Sequence, residues 1–169
     1  MAEIIIVAGP NGAGKTTFAN EFLAVDEMAY VNADEIARGL EDVPASELHI
    51  RAGRLMLQQI NALIEARTDF MFETTLASLI YARRIPEWRQ LGWHVGLAYL
   101  RLPTVEASIA RVRRRVQAGG HDIPEGTIRR SFSRSLEYLE TRYKLLVNEW
   151  RVYDSLEGDF QLVSAWDDQ

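Results

Sequence analysis

Gly9-Pro10-Asn11-Gly12-Ala13-Gly14-Lys15-Thr16 fits the phosphate-loop pattern G-x-x-x-x-G-K-[ST] without a mismatch. The apolar run before it, Ile4-Ile5-Ile6-Val7-Ala8, reads as a buried strand. Behind it, Thr17, Phe18, Ala19, Glu21, Phe22 and Leu23 have helical composition, predicting a helix to about Ala24. Strand, glycine loop and helix is the context this pattern requires. The three glycines let the backbone turn sharply and aim N–H groups inward, and the helix adds its positive N-terminal end. Gly9, Pro10, Asn11, Gly12, Ala13, Gly14, Lys15, Thr16 and Thr17 are thereby predicted to cradle a nucleotide's phosphates. Lys15 reaches the terminal phosphates and the Thr16 hydroxyl holds Mg²⁺, which makes ATP with Mg²⁺ the expected ligand pair.

The 169 residues suit one domain, 1–169, with a substantial core. There is no cysteine, which excludes disulfides and thiolate metal sites. The N-terminal apolar run is too short for a signal peptide, and no stretch reaches membrane-spanning length, so a cytoplasmic location is expected. Net charge is −5, yet from Arg101 to Arg134 eight arginines stand against three acids. One basic segment on an acidic body fits a local anion site and argues against extended nucleic-acid binding.

Strand and helix patterns alternate, as in an α/β fold with a parallel sheet. Strands are predicted at Glu3–Ala8, Met28–Val31, Phe70–Phe72, His94–Leu100 and Arg151–Asp154, with a sixth at the edge, 160–163. Ser46 is expected to cap a helix to about Arg67, with Ala52, Met56 and Ile60 in its apolar stripe. A further helix covers 81–91. Thr104 caps one whose apolar face is Val105, Ile109, Val112 and Val116; Gly119-Gly120 ends it. Asp122 as N-cap and an early Pro124 restart a helix with Ile128, Phe132, Leu136, Leu139, Tyr143 and Leu146 on its buried side. The expected architecture is a three-layer αβα P-loop kinase-like fold with a mainly parallel five- or six-stranded sheet. Its site lies at the carboxyl ends of the strands.

Asp34, Glu73 and Asp154 fall just past such ends. Asp34 suits the base that takes an acceptor's proton, or else the N-cap of a following helix. Glu73 suits an acceptor's hydroxyls or water-mediated support of Mg²⁺; Thr74 and Thr75 suit the same ligand or the turn backbone. Arg111 and Arg115, four apart on one helical face, are the catalytic cations of an arginine-rich lid at about 104–130. His121, after the glycine pair, is within reach of phosphate in a closed lid.

The loop, Asn32-Ala33-Asp34, Phe72-Glu73-Thr74-Thr75-Leu76, the lid running into Gly119-Gly120-His121-Asp122-Ile123-Pro124-Glu125, and Val152-Tyr153-Asp154-Ser155 together resemble the zeta toxin family. The resemblance spans roughly Ile4 to Ser155. It implies a kinase that moves the ATP γ-phosphate to a hydroxyl of UDP-N-acetylglucosamine, and a possible antitoxin partner. Lys15 and Thr16 would then hold ATP and Mg²⁺, Asp34 would be the base, Glu73 with Thr75 would touch the sugar nucleotide, and Arg111 would be the first lid arginine. Two positions depart from the family pattern. Ala77 and Ser78 stand where an arginine is usual, and the second lid arginine falls near His121. A kinase of another metabolite or of a nucleic-acid end shares the same core. So does an ATP-binding switch without catalysis, which differs in not needing Asp34 for turnover.

Overall fold

The computed structural model describes residues 1–23, 28–157 and 159–169; the predicted helix end at Ala24 lies outside them. Five parallel strands, β1 (Ala2–Ala8), β2 (Ala29–Val31), β3 (Phe70–Thr74), β4 (Trp93–Arg101) and β5 (Glu149–Leu156), run in the order β2-β3-β1-β4-β5. A sixth, β6 (Asp159–Asp167), pairs antiparallel with β5 at the edge. In register, Ile4 lies between Phe70 and Val95, so β1 is central.

The central strands β1, β3 and β4 are buried on both faces, as their continuous apolar runs require. Ile4, Ile6, Phe70, Phe72, Val95 and Leu97 face one layer, made by α3 (Ala45–Glu65), α4 (Ile80–Gln90) and the residues Leu139, Tyr143 and Val147. The alternate positions Val7, Met71, Ala98 and Leu100 face α1 (Lys15–Phe22) through Phe18 and Ala19. A period of two in the strands thus separates two cores. A third, small cluster joins Ile109 and Val112 of α5 (Val105–Gln117) to Ile128 of α6 (Glu125–Tyr138).

The stripe Ala52, Met56 and Ile60 is buried as its spacing predicts. Two caps differ. Pro44, in extended conformation, precedes α3, and Ser46 lies inside its first turn. Pro124 likewise precedes α6, so Asp122 is not its cap. In both places proline's fixed φ sets the helix entrance. Thr104 does cap α5, accepting from Ala107 N–H at 3.1 Å.

α6 continues through a π-helical turn, Leu139–Tyr143, into the short α7 (Lys144–Leu146). The turn presents Tyr143 to α4, where its hydroxyl donates to Ser78 O at 2.5 Å and accepts from Ala82 N–H at 3.3 Å. Tyr143→Phe removes both bonds while keeping the ring. It is expected to cost about 1–2 kcal/mol in urea unfolding, with the slope of the transition unchanged.

Candidate active site

The carboxyl ends of β1, β2, β3 and β5 converge on the phosphate loop. Gly9, the first residue after β1, has φ +152, and a Cβ there would lie 2.5 Å from Leu100 O. Only glycine lets the loop leave the strand this close to β4. Gly9 N–H donates to Thr74 O at 3.3 Å, which ties the loop to the end of β3. Gly14, in left-handed conformation, opens α1, so the first helical N–H groups and Lys15 and Thr16 face the phosphate position together.

Lys15 Nζ donates to Gly9 O at 2.9 Å and Pro10 O at 3.1 Å. Although the residue is half-exposed along its stem, its ammonium is enclosed. Burial lowers its pKa to about 8; Glu73 and Asp34 oppose that drop and the Arg115 guanidinium adds to it. Three residues from β3, the end of β2 and α5 therefore act on one ammonium.

Asn32, not Asp34, caps the short helix α2 (Ala33–Arg38): its Oδ1 accepts from Asp34 N–H at 2.9 Å. The cap is buried and Asp34 is exposed in the first turn, its carboxylate not used in capping. Thr16 Oγ1 donates to Glu73 Oε1 at 2.7 Å. The Tyr30 hydroxyl is buried beside this pair, without hydrogen-bond geometry to any group among the described residues. Burial and the neighbouring Glu73 push its pKa up, so it stays a phenol. Tyr30 carries no motif signal, and only the folding of β2 against β3 brings it here.

Thr74 and Thr75 serve the turn after β3: their hydroxyls accept from Leu76 N–H at 3.1 Å and Ala77 N–H at 3.4 Å. Leu76 is fully buried with φ +58, a left-handed conformation that costs a leucine energy and is held by those bonds. Asp154 is not brought to the loop; it pairs with Arg101 at 2.7 Å, because strand alternation sends Ser155, not Asp154, toward Ala13. His121 is exposed between α5 and α6. Of the lid arginines, Arg113 pairs with Glu125, Arg114 with Glu157, and Arg129 with both Glu125 and Glu106. Arg111 turns inward to Gly12 O and Ser155.

Thr16 and Glu73 offer only oxygen donors, which suits a hard divalent cation carried in with phosphates. Among the described residues no group of three or more His, Cys, Asp or Glu forms a metal cage, and no helix is long and apolar enough to cross a membrane.

A parallel sheet with a phosphate loop after its central strand, and a lysine and hydroxyl at the helix N-terminus, is a P-loop nucleotide-binding fold, and the class to which this protein belongs is that of the P-loop kinases, enzymes of phosphotransfer. Residues 2–157 match the zeta toxin family, to which the chain belongs. An uncharacterized protein of Haemophilus influenzae is 29% identical over 125 residues, 74% of this chain and 89% of that one. Two solved structures share the fold. The complex AvrRxo1-ORF1:-ORF2 with ATP superposes with a TM-score of 0.75 at 15% identity, covering 98% of this chain and 58% of that one. The PezAT chromosomal toxin–antitoxin system of Streptococcus pneumoniae gives 0.66 at 17% identity, covering 96% and 70%. The chain therefore spans little more than half the length of the AvrRxo1 chain it matches.

The lowered pKa of Lys15 has a measurable consequence. Phosphate restores the ammonium's charge, so nucleotide binding above pH about 8 takes up a proton and affinity falls as pH rises. Calorimetry of an ATP analogue at pH 8.5 in buffers of different ionisation enthalpy should show that uptake, and Lys15→Arg should abolish it. Without nucleotide the sign is opposite. Between about 8 and 10.5 the unfolded chain holds this proton more tightly, so this group adds stability as pH rises through that window.

Proposed function

We propose that this kinase transfers the γ-phosphate of ATP to a hydroxyl of a sugar nucleotide, with UDP-N-acetylglucosamine the first acceptor to test. The observation that carries the reading is the Thr16–Glu73 hydrogen bond beside the loop lysine, with Asp34 and Arg115 near enough for their charges to act on that lysine. Phosphoryl transfer needs those groups: a base, an acceptor-binding carboxylate and cations for the charge on the transferring group. Asp34 is unencumbered by capping and takes the acceptor's proton. The acceptor oxygen then bonds to the γ-phosphorus as the bond to the ADP oxygen breaks. Lys15 contacts the phosphates, and Arg115 meets charge that develops in transfer.

Glu73 accepts hydrogen bonds from sugar hydroxyls, with Thr75 and His121 at the rim of the same ligand. The Thr16 hydroxyl, with the Glu73 carboxylate beside it, would hold Mg²⁺ carried in with the nucleotide. The ion would supply positive charge that offsets the charge of the phosphates. The Glu73 carboxylate and the Tyr30 hydroxyl would stand beside such an ion and accept and donate hydrogen bonds there. Arg113, Arg114 and Arg129 are already neutralised by glutamates. That observation favours a small acceptor over a polynucleotide. An antitoxin protein as partner and a cytoplasmic location complete the proposal; membership of the zeta toxin family and the fold shared with the PezAT toxin–antitoxin system support the partner.

Asp34→Asn should keep the fold and ATP affinity and lower the rate of transfer by about 10²-fold or more. Normal turnover with a small stability change would leave Asp34 a purely structural residue. The acceptor is tested with γ-labelled ATP, Mg²⁺ and a panel of sugar nucleotides, nucleosides, small metabolites and 5′-hydroxyl oligonucleotides. Label is expected on a sugar nucleotide and lost in Glu73→Ala. Label on an oligonucleotide alone overturns the acceptor, and no labelled acceptor at all favours an ATP-dependent switch.

A further inference from the structure

The carbonyl groups of the phosphate loop are satisfied in an ordered way. Those of Gly9 and Pro10 accept from Lys15 Nζ. The next three are reached from outside the loop. Ser108 Oγ of α5 donates to Asn11 O at 2.5 Å, Arg111 Nη1 to Gly12 O at 3.4 Å, and Ser155 Oγ of β5 to Ala13 O at 2.6 Å. Arg111 also grips Ser155, with Nη1 donating to its Oγ at 2.9 Å and Nη2 to its carbonyl at 2.8 Å. The Arg111–Ser155–Ala13 contacts therefore form one continuous chain of hydrogen bonds.

Ser108 and Ser155 are buried, at 0% and 2% exposure, two of only four buried polar residues among those described. Buried hydroxyls need partners, and both have a loop carbonyl. Gly12 touches α5 so closely that a Cβ would lie 2.8 Å from Arg111 Cβ. In a trans peptide plane the C=O and the following N–H point opposite ways. Drawing Asn11 O and Ala13 O toward α5 and β5 therefore turns the Gly12 and Gly14 N–H groups toward the phosphate side.

We propose that Ser108, Arg111 and Ser155 form a brace that holds the phosphate loop in its nucleotide-binding shape before nucleotide arrives. Arg111 is then a positioning residue of the loop, not a cation that travels with a lid onto the γ-phosphate. Arg115, one helical turn on, remains the arginine whose charge acts on Lys15. The turn closing α5 packs directly on it: a Cβ on Gly120 would lie 2.5 Å from Arg115 Cγ. The brace rests on nucleotide binding by this loop and is independent of the acceptor.

The test is binding of a non-hydrolysable ATP analogue with Mg²⁺, acceptor absent, to the full chain and to Arg111→Lys, Ser155→Ala and Ser108→Ala. Lysine keeps the charge but cannot fork onto Ser155 and Gly12. Each variant should bind about tenfold or more weakly. Arg111→Lys with Ser155→Ala should be little worse than either single change, since both break one network, whereas Arg115→Ala with Ser155→Ala should be additive. Hydrogen exchange should quicken at Gly12 and Gly14 while amides of β1 and β4 stay protected, which separates loop positioning from general destabilisation. Wild-type affinity in Arg111→Lys, or additivity of Arg111→Lys with Ser155→Ala, overturns the brace. Should Arg111→Lys fail to fold, the two serine variants decide by the same affinity criterion. Absence of binding by the unmodified chain overturns the nucleotide reading itself and the brace with it.

Discussion

A loop that offers its N–H groups to an anion must turn its carbonyl groups elsewhere, and a buried carbonyl without a donor is costly. Much of this protein's construction answers that constraint. β1 runs through the middle of the sheet, so the loop emerges from a strand paired on both sides. Gly9 passes Leu100 O at a distance no side chain allows. The back of the loop then meets Ser108 and Arg111 from α5 and Ser155 from β5, which supply donors in sequence. Elements far apart in the chain are thereby obliged to meet in one register.

The same packing sets the electrostatics. Lys15 is enclosed by its own loop, which favours the neutral amine, and the Glu73 and Asp34 carboxylates oppose that effect without cancelling it. The ammonium is poised to gain from an incoming polyanion. Around it three lid arginines, Arg113, Arg114 and Arg129, are held by glutamates, which balances part of the basic segment locally. Surface ion pairs of this kind add little stability. Their effect is to leave few arginines facing the site.

Legibility differed between levels for physical reasons. The loop, its flanking strand and helix, the Thr104 cap and the stripe on α3 are local patterns, dictated by backbone sterics and periodicity, and the structure has them where their spacing puts them. The Ser46 and Asp122 caps are not realised, because prolines at 44 and 124 impose extended backbone just ahead of each helix. Asn32 takes the cap next to Asp34 because it is the residue with extended backbone there, which releases the carboxylate.

What the sequence by itself determined is the chemistry on offer: a phosphate loop, an acid near the end of each of three strands, arginines on one helix, and membership of a recognisable family. The tertiary structure decided which of these meet. Strand alternation turned Ser155 toward the loop and Asp154 away, and the approach of α5 to Gly12 made Arg111 an inward partner. Tyr30 reached the Thr16–Glu73 pair by the pairing of β2 with β3. Such juxtapositions depend on sheet order and on the face each side chain takes. Neither is encoded in the spacing of residues along any one element, because a contact between distant segments is fixed only when both cores are packed.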